Sequence, residues 1–158
     1  MMPTERELAY LAGFFDGEGS VLITKTRGRH VSPSYRIVLS AVNTNHQSLV
    51  DLRTAFGGSI GRIHTTVIHR KPAWQWHVAC QKAAAVLQLL LPLLRIKRKE
   101  AEIALALQGV IDNRRVVSLG GRRGVLPLSV DDLLRREGFY QDIRSVRRES
   151  SSLQGTPE

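Results

Sequence analysis

The stretch LAYLAGFFDGEGSVLI, residues 8–23, begins as an apolar helix rich in small residues, passes through D-G-E-G and continues as a strand. Glycine is a poor helix former, so the helix is predicted to end near Phe15. Asp16 and Glu18 should then lie at a helix C-terminus, where the macrodipole disfavours negative charge. A bound divalent cation would reverse that preference, because carbonyl and carboxylate oxygens are both hard ligands.

Small residues follow one ridge of this helix. Ala9, Gly13 and Gly17 recur at i, i+4 and i+8, and residues with this spacing share one helix face. Such a ridge allows two helix backbones to approach closely, although packing of the helix on its own core explains the spacing equally well. If two such helices lay side by side, two Glu18 carboxylates would meet. With the carbonyl oxygen of Gly17 and phosphate oxygens they would form a credible magnesium site.

The basic residues are unevenly distributed along the chain. The formal net charge is +9, and residues 20–77 hold eight Lys or Arg side chains, all five histidines and a single acid, Asp51. This distribution favours a polyanionic partner over an ordinary solvated surface. Charge alone does not distinguish DNA, RNA and a membrane surface. The histidines show no Cys/His spacing typical of a zinc site.

Periodicity predicts a mixed α+β domain in the order α-β-β-α-β-β-α-α, with a four-stranded antiparallel sheet and its helices on one face. A capping box at Thr4 and Glu7 should begin the first helix. Trp74 and Trp76 alternate along the fourth strand and are expected in the core rather than stacked on bases. The expected strands cover residues 20–26, 35–43, 60–68 and 73–79, and the later helices cover 43–56, 81–90 and 92–111, the last opening or kinking at Pro92.

The C-terminal part differs in composition from the rest. A helix capped by Ser129 and Asp132 is expected there. Its arginines could contact phosphates, or the helix could be solvated and pack through Leu133, Leu134, Phe139 and Ile143; the sequence supports both equally. The predicted organisation is a core domain, a Gly/Arg-rich linker, a C-terminal helix and a disordered tail, at residues 1–113, 114–128, 129–149 and 150–158.

Several classes of protein are disfavoured. Cys80 is the only cysteine, so no internal disulfide can form and a reducing, intracellular compartment is expected. Burial statistics predict that Cys80 is a small, partly buried residue. No signal peptide is evident, and the apolar run at 85–94 is too short to span a bilayer. A membrane is therefore not an expected partner, and no small-molecule substrate is expected.

The segment LAGFFDGEG, residues 11–19, resembles the signature motif of the LAGLIDADG homing endonucleases. Its small residues, both acids and the final glycine stand in register with that motif. Three further segments are similar to the same family: NTNHQSLVDLRTAFGGSI, WQWHV and LPLLRIKRKEAE. The resemblance covers roughly residues 5–110.

The resemblance implies an αββαββα core whose saddle-shaped sheet lies in the major groove of double-stranded DNA. A chain with one motif is expected to act as a homodimer, with the ridge of Ala9, Gly13 and Gly17 at the interface. The expected reaction is Mg²⁺-dependent hydrolysis of both strands at a long, near-palindromic site. Mn²⁺ or Ca²⁺ could occupy the same metal site.

Site roles carry over from the family by position. The last acid of the motif is the family's metal ligand and corresponds to Glu18, and the carbonyl before it belongs to Gly17. The family's active-site lysine, five residues after the proline, corresponds to Lys97. Asp16 is placed in the catalytic group, where it is expected to support the crossing of two motif helices rather than to bind metal. Glu18 stands where many members have Asp, which lengthens the ligand by one methylene and keeps its charge.

Outward side chains of the strands are expected to contact base edges. Arg62 and Gln75 are the leading candidates, because Arg pairs with guanine and Gln with adenine. In the second strand, only one of Tyr35 and Arg36 can face the DNA, since neighbours alternate. The resemblance also implies that polar residues at the end of that strand help to order active-site water, and Asn43, Thr44 and Asn45 occupy that region. The candidate DNA contacts are Thr24, Thr26, Arg29, Arg62, His64, Thr66, Gln75 and His77.

Two other functions are compatible with a small basic domain. An RNA maturase or a catalytically silent DNA-binding protein on the same fold would keep the basic sheet without needing the motif acid. A small RNA-binding scaffold, such as a ribosome-associated protein, would need no glycine-flanked carboxylates at a helix end. The presence of both Glu18 and Lys97 favours the nuclease.

Overall fold

The computed structural model of the protein describes residues 3–27, 32–64, 71–113, 116–119, 122–125 and 128–153. The predicted order of the first helices and strands is confirmed. In chain order the elements are α1 (Glu5–Glu18), β1 (Gly19–Thr26), β2 (Ser34–Asn43), α2 (His46–Phe56), β3 (Ser59–Ile63), β4 (Ala73–Ala79), α3 (Cys80–Leu90), α4 (Arg98–Asp112), β5 (Val116–Leu119), β6 (Arg122–Val125) and α5 (Val130–Leu153).

The first four strands form one antiparallel sheet in the order β1-β2-β4-β3. Alternate residues of the strands, among them Ile23, Leu39 and Trp76, are buried in a single hydrophobic core. The helices contribute their buried faces to that same core through Leu11, Leu49, Leu87, Leu107 and Ile143. The predicted α+β fold, with helices on one face and the other face of the sheet open, is therefore confirmed.

The first helix is longer than its glycines predict. The capping box of Thr4 and Glu7 begins α1 as expected, but the predicted end near Phe15 is wrong because α1 continues to Glu18. Phe15 is fully buried and lies edge-on to Trp76, with ring centroids 6.4 Å apart. A Cβ on Gly19 would lie 2.4 Å from the Phe15 ring. Tertiary packing thus outweighs the cost of about 1 kcal/mol per helical glycine.

The predicted helix at Pro92 is also wrong. Residues 91–93 form a turn after α3, and α4 begins only at Arg98. Leu94 is buried in the core within this connection. Residues 95–97 therefore follow an irregular path, and their backbone N–H groups need partners from elsewhere in the fold.

The C-terminal segment is more ordered than its composition predicts. The segment expected to be a linker contains β5 and β6, which pair antiparallel. The final helix begins beside Ser129 and Asp132 as expected, but it continues through residues 150–153, which were predicted to be disordered. Ile143 packs into the core, whereas Leu134 is 64% exposed. One of the apolar residues expected to pack is therefore not covered.

Two further expectations concern the exposure of Cys80 and the presence of membrane-spanning helices. Cys80 was expected to be partly buried, but it is exposed at the first position of α3. Its φ of 56° belongs to a sharp corner between β4 and α3, which turns its side chain away from the core. In the part of the chain that the structure describes, no helix is long and apolar enough to cross a membrane.

Candidate active site and nucleic-acid interface

Glu18 lies at the end of α1, where the helix passes into β1. Its side chain and the neighbouring Gly17 are both exposed. Among the described residues, no group of three or more His, Cys, Asp or Glu side chains could hold a metal ion. The donors at this point are a carboxylate and helix-end carbonyls, which suit a hard cation such as Mg²⁺. Further ligands would have to come from phosphate oxygens, water or a second chain.

Asp16, two residues earlier, has a different environment. It is only 8% exposed, and its carboxylate accepts hydrogen bonds from three backbone N–H groups of the connection before α4. Oδ2 accepts from Arg95 and Ile96 at 2.7 and 3.1 Å, and Oδ1 accepts from Lys97 at 3.0 Å. The acid at the C-terminal end of α1 thus lies beside the N-terminal end of α4, where the helix dipole favours negative charge.

The contacts of Asp16 correct part of its expected role. The carboxylate was expected to support the crossing of two motif helices. Its oxygens instead bind the backbone of its own chain, and the side chain is turned inward.

Lys97 is the N-cap residue of α4 and is half-buried. The neighbouring bases Arg95, Arg98 and Lys99 are exposed, and Arg98 pairs with Glu102 at 3.3 Å. Lys97 therefore differs from the surrounding basic residues because it is half-buried, although the backbone N–H groups of Lys97 and Arg95 both donate to Asp16.

Glu100 is a polar residue near the site that the sequence patterns did not identify. It lies in the first turn of α4, three residues after Lys97, and is only 6% exposed. Its Oε2 has no hydrogen-bond partner within the described part of the chain. A signal was present in the sequence, since this is the position from which a glutamate caps a helix in a capping box.

The ridge of small residues on α1 is uncovered. Ala9, Gly13 and Gly17 are exposed, and a Cβ at Gly13 or Gly17 would meet nothing within 4 Å. The buried side of α1 is formed by other residues, among them Leu11 and Phe15. Packing of the ridge on its own core, one of the two interpretations of the spacing, is therefore excluded.

The open face of the sheet carries four of the predicted DNA contacts. Thr24 lies opposite Arg36 in the β1–β2 register. His77 lies opposite Ser40 of β2 and Ser59 of β3, and directly opposed residues in a sheet share a face. Counting by alternate residues from these pairs brings together on the open face Thr24, Thr26, Gln75 and His77.

Arg62, a leading candidate for a DNA contact together with Gln75, is exposed but lies on the opposite face of the sheet from Gln75. Arg62 is paired with Trp74, which alternates with Gln75 and lies on the same face as buried Trp76. His64 is exposed just beyond the end of β3 at Ile63, so strand alternation does not assign it to a face. Arg29 and Thr66 lie outside the described residues.

The structure decides between the two candidates in the second strand. Tyr35 is buried, and its hydroxyl donates a hydrogen bond to Glu137. Arg36 is exposed on the open face. Arg36 is therefore added to the candidate DNA contacts. The sequence alone could not choose between Arg36 and Tyr35, because alternation did not indicate which of the two faces the DNA.

The polar residues at the end of β2 and just after it have structural contacts. Asn43 Oδ1 accepts from the Asn45 backbone N–H at 2.8 Å, and Asn45 Oδ1 accepts from the Gln47 N–H at 3.0 Å. These oxygens form the turn into α2 and cap that helix. Thr44 between them is exposed.

Comparison with solved structures supports the fold. The chain is similar to the homing endonuclease I-CvuI, crystallised with its target in the presence of Ca, at 18% identity and a TM-score of 0.68 over 89% of this chain and 82% of that one. It is similar to the archaeal intron-encoded homing endonuclease I-Vdi141I complexed with DNA, at 16% identity and a TM-score of 0.69 over 90% and 84%. It also matches I-GzeII in complex with its DNA target, at 15% identity and a TM-score of 0.57, covering 89% of this chain and 43% of that chain.

Sequence comparison supplies the family. No curated protein matches the chain significantly. The sequence model of LAGLIDADG endonucleases matches residues 11–103, a span that includes the motif of α1, the whole four-stranded sheet and Lys97. With this match, the chain belongs to the LAGLIDADG endonuclease family.

Proposed function

We propose that this protein is a site-specific, metal-dependent double-strand DNA endonuclease. The observation that carries the proposal is the position of Glu18. Its exposed carboxylate lies where α1 meets β1, the first strand of the open sheet face. The Asp16 carboxylate of the same helix turn binds the backbone of Lys97. The C-terminal end of α1 therefore carries Glu18, binds the backbone of Lys97 through Asp16, and leads directly into the open sheet face proposed to bind DNA.

The chemistry assigned to the chain is phosphodiester hydrolysis. Glu18 and the carbonyl oxygen of Gly17 would hold Mg²⁺, with Mn²⁺ or Ca²⁺ as substitutes. When bound, the ion supplies activation of water and charge stabilisation at the leaving oxygen. The Lys97 ammonium would offset negative charge that develops on the phosphate or orient the attacking water.

A second copy of the chain would complete the site. The uncovered ridge of Ala9, Gly13 and Gly17 allows the close approach of a partner helix. Such an approach would bring two Glu18 carboxylates together and place one cleavage site on each DNA strand. A homodimer is also consistent with the match to I-GzeII, a chain of which this protein covers less than half.

DNA recognition is assigned to the open face. β1 has eight residues, which at about 3.3 Å each span roughly 26 Å. At about 3.4 Å per base pair, this length corresponds to roughly eight base pairs per subunit. A two-fold dimer would then recognise about two turns of near-palindromic DNA. The proposed contacts are Thr24, Thr26, Arg36, Gln75 and His77, with Arg29, His64 and Thr66 as further candidates.

The decisive experiment is incubation of the purified protein with Mg²⁺ and a DNA library, followed by sequencing of the cut ends. Staggered cuts of both strands at one long sequence are expected. Glu18→Gln should abolish cleavage while leaving DNA binding largely intact. Glu5→Gln, an exposed acid at the other end of α1, is the matched control and should cleave as the wild type does.

Other outcomes would contradict the proposal. Retention of RNA without cleavage of DNA would favour a maturase. Binding of one DNA sequence without cleavage in Mg²⁺ or Mn²⁺ would favour a catalytically silent DNA-binding protein. Cleavage by Glu18→Gln at the wild-type rate would refute the assigned metal ligand.

A further inference from the structure

The last turn of α1 carries two carboxylates with separate environments. Glu18 is exposed, whereas Asp16 is 8% exposed and accepts three backbone hydrogen bonds. Both carboxylate oxygens of Asp16 are used in these bonds. The partners are successive residues, Arg95, Ile96 and Lys97, so the carboxylate fixes a continuous piece of backbone rather than one point.

We infer that Asp16 is a positioning residue for Lys97 and not a metal ligand. This inference rests on the proposed nuclease function. Asp16 and Glu18 belong to the same helix turn, and Asp16 determines where the Lys97 backbone lies against that turn. Asp16 therefore fixes the point from which the Lys97 side chain extends relative to the end of α1 that carries Glu18. Displacement of a catalytic group by about 1 Å can reduce a rate about 100-fold.

No other contact described at the start of α4 replaces these bonds. Lys97 is the N-cap of α4, but its side chain makes no capping hydrogen bond. Glu100 stands at the capping-box position, yet the Lys97 N–H that such a side chain would bind is bonded to Asp16. The Oε2 of Glu100 is buried without a partner among the described residues.

The contacts around Lys97 also predict how the fold responds when Asp16 is changed. Glu100 is available to accept the Lys97 N–H, so α4 retains a cap and the fold should survive. The Lys97 N–H would then bond to Glu100, a residue of α4 itself, and Lys97 would lose its hydrogen bond to α1. Loss of Asp16 should therefore displace Lys97 without unfolding the domain.

Asp16→Asn tests the inference, because asparagine keeps one acceptor oxygen and replaces the other with an amino donor. Single-turnover cleavage of the selected DNA site is measured over a range of Mg²⁺ concentrations, and DNA affinity is measured in Ca²⁺. The maximal rate is expected to fall at least about tenfold, with the Mg²⁺ midpoint and DNA affinity unchanged. A metal ligand would give a different result: a raised Mg²⁺ midpoint, with the rate recovering at high Mg²⁺. That result would overturn the inference.

A double-mutant cycle shows whether Asp16 acts through Lys97. In a Lys97→Ala background, Asp16→Asn should cause no further loss of rate, because the group that it positions is absent. A full additional loss would overturn the inference. Wild-type protein that cleaves no DNA would instead contradict the proposed function, so the two failures are distinguishable.

Folding of the variant is checked by thermal unfolding before the assays. If Asp16→Asn is unfolded at the assay temperature, Asp16→Glu takes its place in the same cycle. It keeps both acceptor oxygens but is longer by one methylene, so it should bind the connection and displace Lys97. A lower rate that is absent in the Lys97→Ala background supports the inference, and a wild-type rate contradicts it.

Discussion

Glu137 on α5 forms an ion pair with Lys25 on β1, with 2.5 Å between Oε2 and Nζ, although 112 residues separate them. The hydroxyl of Tyr35 on β2 donates to the same oxygen, and Gln141 donates to the other at 2.8 Å. The Lys25 ammonium also lies 5.6 and 5.8 Å from the ring centroids of Tyr35 and Tyr140. These contacts attach the C-terminal helix to the first two strands of the sheet.

This cluster predicts a component of stability that depends on pH. The hydrogen bond from Lys25, with those from Tyr35 and Gln141, lowers the pKa of Glu137 from 4.5 to about 2. A lowered folded-state pKa stabilises the protein above the unfolded value near 4.5, and this stabilisation is lost as the pH falls toward 2. Glu137→Gln should therefore lower Tm at pH 7 by about 3 °C, as expected for the loss of about 1 kcal/mol from a partly exposed pair.

The difference in Tm between wild type and Glu137→Gln should shrink as the pH falls from 4.5 to 2, which thermal unfolding monitored by circular dichroism would detect. Glu149→Gln is the control, because Glu149 is exposed on the same helix and should leave Tm nearly unchanged. A Glu137→Gln difference that stays constant between pH 2 and pH 7 would contradict the assignment.

Local patterns in the sequence were enough to predict the order of the core elements and the buried face of β4. Alternation put Trp76 in the core, where it is fully buried. Alternation could not show on which face of the sheet Arg62 lies, because the faces taken by the β3 side chains depend on the register of β3 with β4. That register follows a turn in which Gly58 has φ 88° and a Cβ would lie 2.5 Å from the carbonyl oxygen of His77. Long-range contact, not local periodicity, fixes this detail.

The role of Asp16 shows the same limit at the candidate site. The motif identified it as an acid at a helix end, and the dipole argument correctly marked that position as unusual. Its partners, however, lie 79 to 81 residues further along the chain. Those partners belong to an irregular connection that was predicted as helix. Only the packed structure shows that the N-terminal end of α4 stabilises the negative charge of Asp16, which the C-terminal end of α1 disfavours.

The register of β3 predicts that Gln75 and Arg62 differ in their effect on base preference. Gln75 is exposed on the open face, so Gln75→Ala should relax preference at one pair of symmetric target positions by about 1–3 kcal/mol. Arg62 lies on the other face, so Arg62→Ala should leave base preference unchanged and at most weaken affinity uniformly. Sequencing of bound DNA from a randomised library measures both effects. Relaxed preference at one position with Arg62→Ala would contradict the face assignment.

Trp76 is predicted to determine much of the stability of the β3–β4 pair. Its Nε1 donates to the carbonyl oxygen of Gly57 at 2.7 Å, and its ring packs against Phe15. Trp76→Phe leaves that acceptor unpaired and opens a cavity, so we expect a loss of about 2 kcal/mol and a fall in Tm of about 6 °C. Trp74→Phe is the matched control, since Trp74 is only half-buried beside His46. Equal losses from both variants in urea unfolding would contradict the assignment.

The uncovered ridge of α1 predicts that Gly13→Leu produces monomers. A Cβ at Gly13 meets nothing within 4 Å in the single chain, and leucine is a better helix former by about 1 kcal/mol, so the fold should be retained or stabilised. In a dimer the added side chain would separate the two α1 backbones and keep the Glu18 carboxylates apart. Light scattering should therefore report half the wild-type mass, and DNA cleavage should be lost while circular dichroism shows that the fold is retained. Gly138→Leu on α5 is the control, because a Cβ there also meets nothing within 4 Å but lies away from the ridge, and it should leave the dimer intact. If the Gly13→Leu protein remained a dimer with wild-type cleavage, the ridge would not be the interface.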